Sequence, residues 1–424
     1  MIEPIPESWA AKGRRPGTTG NVMECVECTE YKTVINAWRK AVKWIDGLDH
    51  AFAAMLACTL STRVVGVQLW IKIIGPASCG KTTLCEAISL NKERTLAKSV
   101  IRGFHSGYKS GGDEDEEDNS LLVDVNGKTL ITKDGDTLLT SPNLSQILSE
   151  ARDIYDTTSR THYRNKMGKE YTGVRMTWLL CGTSSLRSID SSELGERFLD
   201  VVVMEDIDEE IEDEILWRVV NQEERNMCVE ADGAMDKNYS PEMMQAMQLS
   251  GGYVGYLCDN AADLLSQVNM DDKQKHLCTR LGKFVAYMRA RPSEKQSEVT
   301  EREFAPRLVS QLTRLTKCLA VALNKNNVDD EIMTRVTRVA MDTSRGLVLD
   351  ICRYLYKSQG TGLESRNIAV EINTTEENAK KLLRFLRGLK AVTSFTTKTP
   401  RGKISAPKWK LTEGMENLYR EVMG

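Results

Sequence analysis

The segment Gly75-Pro76-Ala77-Ser78-Cys79-Gly80-Lys81-Thr82 constrains this chain more than any other. It satisfies G-x-x-x-x-G-K-[ST], follows the apolar run Leu69 to Ile74, and opens a helical pattern through Leu84, Ala87 and Ile88. Strand, glycine loop and helix in that order turn backbone N–H groups inward around a phosphate, and the helix N-terminus adds its positive dipole end. The nucleotide-contacting residues are therefore expected to be Gly75, Pro76, Ala77, Ser78, Cys79, Gly80, Lys81, Thr82 and Thr83. Lys81 would reach the β- and γ-phosphates, and Thr82 would hold Mg2+ through its hydroxyl. ATP is expected over GTP, because no Asn-Lys-x-Asp-like base-reading segment follows the loop.

A phosphate loop needs an acid at the end of a neighbouring strand. Thr129-Leu130-Ile131-Thr132-Lys133-Asp134-Gly135-Asp136 is the candidate, with Asp134 accepting a magnesium-bound water or orienting the attacking one. The usual adjacent acids are missing. Lys133 or Gly135 takes one of the two places, and Asp136 is the residue that would compensate.

The apolar strands at 69–74, 129–132, 176–181 and 199–203 alternate with helical patterns, including one over 144–155. Such alternation predicts an α/β fold with a parallel sheet and helical crossovers. From about Ser240 to Ser344 helical periodicity takes over. After Gly346 the pattern reads three helices, then a two-stranded turn around Pro400-Arg401-Gly402-Lys403, the order of a winged helix. The expected organisation is a flexible segment over 1–30, a nucleotide-binding core over 31–235, a helical lid over 236–345 and a DNA-binding winged helix over 346–424. A length of 424 residues suits about three domains.

Charge is distributed unevenly. Ten of the 57 basic residues fall between Lys380 and Lys410 with no acid among them, leaving 47 against 60 acids elsewhere. A basic block on an otherwise acidic chain points to a polyanion partner. The helical pattern over 375–389 puts Ala379, Leu382, Leu383 and Leu386 toward a core, with Lys380, Lys381, Arg384 and Arg387 on more exposed arcs. Lys398, Arg401 and Lys403 cluster at the Pro-Arg-Gly turn, the natural tip of a wing. The apolar stretches 51–60 and 64–74 are too short and too interrupted to span a bilayer, so no membrane association is expected. The N-terminus lacks the basic and apolar regions of a secretory signal. Eleven cysteines without framework spacing fit a reducing, cytoplasmic setting. The one Cys-x-x-Cys pair, Cys25 and Cys28, supplies half a zinc site.

The motif order resembles an AAA+ ATPase, and more closely the clade of the minichromosome-maintenance helicases. Closer still are the similar ATPases of phages and integrated mobile elements. Four stretches carry the resemblance: the phosphate loop; Gly103-Phe104-His105-Ser106-Gly107-Tyr108 leading to the Lys133-Asp134 strand; Arg175 to Thr183 followed by Gly195-Glu196-Arg197-Phe198; and Ala305-Pro306-Arg307-Leu308 running to Leu315. The resemblance implies Thr183 as sensor 1, Arg197 as an arginine finger reaching a neighbouring subunit's nucleotide, and Arg307 as sensor 2. It also implies that a hairpin over 160–171 enters a central channel, with Lys166 and Lys169 at its tip on DNA phosphates. A homo-oligomeric, hexamer-like ring acting on single-stranded or duplex DNA beside other replication proteins is the implied assembly.

Three readings follow. One is an ATP-driven motor or helicase for replicating a mobile genome. The second is an ATP-switched initiator or helicase loader with little unwinding, which the incomplete acid pair favours. The third is a transcription regulator with an inert nucleotide site.

Overall fold

The computed structural model describes residues 23–106, 118–162, 168–191, 197–203, 208–227, 239–290, 302, 304–397 and 405–423. The expected DNA-contacting Lys166, Lys398, Arg401 and Lys403, and Gly195-Glu196, lie outside the described residues.

Two helices precede the sheet, α1 Tyr31–Ala41 and α2 Asp46–Ser61. The chain breaks between them at Val42, where the backbone turns extended. Helix α2 is apolar on nearly every side and accordingly buried along its length. Five parallel strands follow: β1 Trp70–Ile74, β2 Thr95–Lys98, β3 Lys128–Thr132, β6 Met176–Gly182 and β7 Phe198–Val202. Their order is β2-β3-β6-β1-β7, so β6 lies between the loop-bearing strand and the acid-bearing one. The strands β1, β6 and β7 are buried at every position, as a sheet covered on both faces requires. Lys72 and Asp200 face each other in register on β1 and β7 and form a buried ion pair at 3.1 Å. The short edge strand β2 escapes a sequence reading because only its first residue is buried.

Between these strands lie α3 Lys81–Ser89, α4 Leu121–Val125, α5 Asp136–Leu139 and α6 Leu144–Tyr155. A two-stranded antiparallel hairpin, β4 Thr158–His162 with β5 Gly168–Thr172, stands apart from the sheet. Beyond β7 come α7 Glu209–Met227, α8 Pro241–Asp259, α9 Ala261–Ser266, α10 Asp272–Met288, α11 Pro306–Ala322 and α12 Asp330–Thr343. Apart from α7, these helices share one continuous apolar core with the sheet and α2. Residues 23–30, expected to be loose, run against α8 instead: Val26 N–H donates to the Gln248 carbonyl at 3.1 Å, and Cys28 is buried. Gly252 makes that approach possible, since a Cβ there would sit 1.8 Å from the Val26 oxygen.

The C-terminal stretch reads α13 Leu347–Lys357, β8 Leu363–Glu364, α14 Ser365–Glu371, α15 Glu376–Gly388, β9 Val392–Phe395, β10 Lys408–Leu411 and α16 Glu413–Met423. Its strands form an antiparallel sheet in the order β8-β10-β9. Thr375 caps α15 by accepting from Asn378 N–H, and two glutamates occupy its first turn. Tyr419 of α16 packs edge-on against Phe284 of α10, which ties this stretch to the rest. No helix among the described residues is long and apolar enough to cross a membrane.

Candidate nucleotide site

The loop between β1 and α3 closes through Gly80, whose φ of +90° is left-handed and favours glycine. Ser78 shares that region at +63°. Lys81 is the first residue of α3, so its backbone N–H stands with the other unpaired donors of the helix N-terminus. Its ammonium is buried and donates to the Gly75 carbonyl at 2.7 Å and to the Pro76 carbonyl, with Cys79 Sγ 3.3 Å away. Thr82 is exposed at the mouth of the loop, and Thr83 is half-buried beside it.

The acid side differs from the expectation. Asp134 is exposed, and its carbonyl accepts from the Thr137 hydroxyl. Asp136 is the carboxylate turned toward β6. Its Oδ2 accepts from Thr183 N–H at 2.9 Å, and its Oδ1 from the Thr183 hydroxyl at 3.1 Å and from the Ser185 hydroxyl. Partial burial alone would raise its pKa. The Ser185 and Thr183 hydrogen bonds, with the nearby Lys81 charge, more than offset this and hold it below the usual aspartate range. The Asp-Gly-Asp turn explains the switch: Gly135 N–H bonds to the Cys181 carbonyl, which swings the first acid out and the second in. Lys133 pairs with Glu86 of α3 at 3.2 Å, and the Tyr239 hydroxyl donates to the same carboxylate.

A cavity of about 810 Å³ adjoins the loop. Ser78, Cys79, Gly80 and Thr83 form one wall, and Trp44, Leu48, Tyr239 and Met243 form the apolar remainder. Arg218 and Val219 of α7 close its outer side. A planar apolar group would be sheltered there beside a phosphate site. No local pattern signals this wall, since it is assembled from the α1–α2 turn, α7 and the start of α8.

Arg197 and Arg307 occupy the opposite end of the sheet. Arg197 directly precedes β7, whose first residue Phe198 is in register with Trp70, whereas the phosphate loop follows Ile74. Four residue steps at about 3.3 Å each separate the two levels, roughly 13 Å. The Arg197 guanidinium is 5% exposed, pairs with Asp156 at 3.0 Å and lies over the Tyr155 ring. Burial pulls its pKa down, as does the positive charge of Arg307, while Asp156 opposes the shift. Burial likewise raises the Tyr155 phenol, with Arg307 and Arg197 opposing it, so both arginines share one neighbourhood. In a single chain Arg197 is thus paired with Asp156 and remote from its own phosphate loop.

Lys169 is the second residue of β5 rather than a tip residue. Its ammonium is held by Asp118 and Ser120, and Tyr171 bonds to the same two groups. Partial burial would raise the Asp118 pKa, but the bonds from Lys169, Tyr171 and Ser120 lower it well below the usual range. Lys380, Lys381, Arg384 and Arg387 are all exposed on α15. Lys380 pairs with Glu376 at 2.7 Å, and Arg387 lies over the Trp409 ring. Cys25 is exposed and Cys28 buried, and no cluster of three or more His, Cys, Asp or Glu side chains suited to a metal occurs among the described residues.

No protein-family model and no curated protein matches this chain. Among solved structures, one from Cytophaga hutchinsonii ATCC 33406, provisionally described as an ATPase, aligns at 12% identity. The alignment covers 83% of this chain and 93% of that one, with a TM-score of 0.42. Similarity at that level leaves family and activity to be argued from the chain's own residues.

Proposed function

We propose that this protein binds and hydrolyses ATP with Mg2+, that it works as an assembly of several copies, and that it couples hydrolysis to DNA. One observation carries the nucleotide reading. Lys81 stands at the head of α3 in a left-handed glycine loop, near the Asp136–Thr183 pair that follows β3 and β6. An ammonium, a threonine hydroxyl at the helix mouth and an ionised carboxylate are the groups a metal-bound triphosphate needs. Thr82 and a carboxylate of the 134–136 turn are hard oxygen donors that fit Mg2+, which keeps several waters and leans on substrate phosphates. When bound, the ion would neutralise charge on the phosphate oxygens. Asp136, rather than Asp134, would act on the nucleophile side, with Thr183 held against it.

The DNA reading rests on the C-terminal stretch. Helix, short strand, two helices and two antiparallel strands is the winged-helix order, and α15 would be its groove-reading helix with Lys381 and Arg384 toward phosphates. Arg197 and Arg307 lie together at the pole remote from their own loop, which supports action on a neighbouring copy's nucleotide. The finer reading is a helicase of a phage or mobile element. The loader or initiator reading is favoured by Lys133, which places an ammonium paired to Glu86 where a second acid would stand.

The deciding experiment measures ATP hydrolysis without DNA, with single strands and with duplex, followed by strand displacement. DNA-stimulated hydrolysis with displacement supports the motor, and stimulation without displacement supports the loader. No hydrolysis and no ATP binding would overturn both.

A further inference from the structure

The turn between α1 and α2 borders a second cleft besides the nucleotide cavity. Trp44 and Leu48 line the first, whereas Ile45, Asp46 and Gly47 line the second, which holds about 670 Å³. Helix α12 supplies Arg338 and Arg345 to this second cleft, and α13 supplies Arg353. Val203, Met341 and Val422 give it an apolar side. Three guanidiniums therefore border one concave site that the nucleotide chemistry does not use.

Each guanidinium has a partner, yet none of the three is fully balanced. Arg338 pairs with Asp46 at 2.6 Å, but that carboxylate is 85% exposed and water screens the pair. Arg353 stands 3.8 Å from Asp350 at the surface and also bonds to the neutral Tyr419 phenol. Arg345 pairs with Asp342 at 3.1 Å, and burial raises that carboxyl to about 7, so near neutral pH it carries only part of a negative charge. Burial pulls the Arg345 pKa down, and the positive charges of Arg187 and Arg353 pull it further, against Asp200 and Asp350. Like charges crowded into a concavity repel, and an anion placed between them relieves that repulsion.

The lining also selects among anions. A guanidinium offers parallel N–H donors that match two oxygens of a phosphate. Asp46 and Asp208 line the same cleft and disfavour a polyphosphate or a nucleic-acid backbone. The apolar side can shelter a carbon body attached to the phosphate. We propose that this cleft binds a small phosphate monoester, with Arg345 and Arg353 on its oxygens and Arg338 beside them. The site is separate from the phosphate loop and stands without the nucleotide reading.

The test follows the melting midpoint of the full chain at pH 7 and constant ionic strength as inorganic phosphate or phenyl phosphate is added. A saturable rise is expected with either probe, in the wild type and equally in Lys81→Ala, whose phosphate loop is disabled. Phenyl phosphate should bind about 10-fold more tightly, because its ring removes apolar surface from water. Equal affinities would keep the same arginine contacts and make free phosphate the ligand. Arg353→Gln changes an exposed side chain and should weaken both probes about 10-fold, and Arg345→Gln at least as much. A wild type with no saturable rise overturns the proposal. So does a rise that Lys81→Ala abolishes, which would put the phosphate in the loop, or one that Arg353→Gln leaves unchanged.

Discussion

At the carboxyl ends of the strands, Thr183 bonds to Asp136 while Lys81 bonds to its own loop and acts on Asp136 by charge. At the amino ends, Arg197 and Arg307 gather around Tyr155 and Asp156. The first group can bind and orient a triphosphate but lacks the remote pair of guanidiniums. The second has that charge but, on its own chain, no phosphate within reach. On the proposed reading the sheet separates two halves of one chemistry by its own length, so apposing them would take two molecules.

The comparison breaks first at Arg197. Arg197→Ala should lower ATP turnover about 1,000-fold while leaving ATP affinity near the wild-type value, the signature of a charge used only in the transition state. Steady-state kinetics with calorimetric binding checks this, and equal loss of affinity would place the arginine in its own chain's site. Lys81→Ala acts at the other pole and should cost about 100-fold in ATP affinity, as loss of a charged hydrogen-bond donor does, with an unchanged circular dichroism spectrum. The two acids sharpen the loop end. Asp136→Asn should reduce turnover by about 30-fold and Asp134→Asn by less than about threefold, because only Asp136 is tied to Thr183. The reverse ranking would return the role to Asp134.

The smallest effect concerns how β7 is anchored between the poles. Asp342 of α12 accepts from Val202 N–H at 2.8 Å and pairs with Arg345 at 3.1 Å, and burial raises its pKa to about 7 against the Val202 bond and the Arg338 charge. A carboxyl whose folded pKa lies above its unfolded value gives stability at low pH that is lost as pH rises from about 4 through about 7. The melting midpoint should therefore fall by about 2 °C more between pH 5 and pH 8 in the wild type than in Asp342→Asn. Equal slopes would show that Arg345 keeps the carboxyl ionised throughout.

Much of the loop pole was legible in the sequence. The run Leu69 to Ile74 and the glycine pattern foretell β1, the loop and α3, and the helix over 144–155 is found at those bounds. The acid was half legible. Asp134 and Asp136 both stood out, but which one turns inward depends on the Gly135 N–H bonding to Cys181, a cross-strand contact that no local pattern encodes. The cavity wall of Trp44 and Tyr239 was illegible, because residues almost two hundred positions apart meet there only after folding. Arg197 and Lys169 stood out by charge, but their intrachain partners did not. Their partners Asp156 and Asp118 are distant in sequence, and pairing of that kind leaves no periodic trace.

The most direct test of the split site is turnover per chain as a function of protein concentration, run beside sedimentation and with Lys81→Ala and Arg197→Ala mixed in equal amounts. The account predicts that turnover per chain rises as monomers associate, and that the two inactive variants together recover part of the activity each has lost. Turnover that stays constant where the chain is monomeric, with no recovery in the mixture, would contradict it.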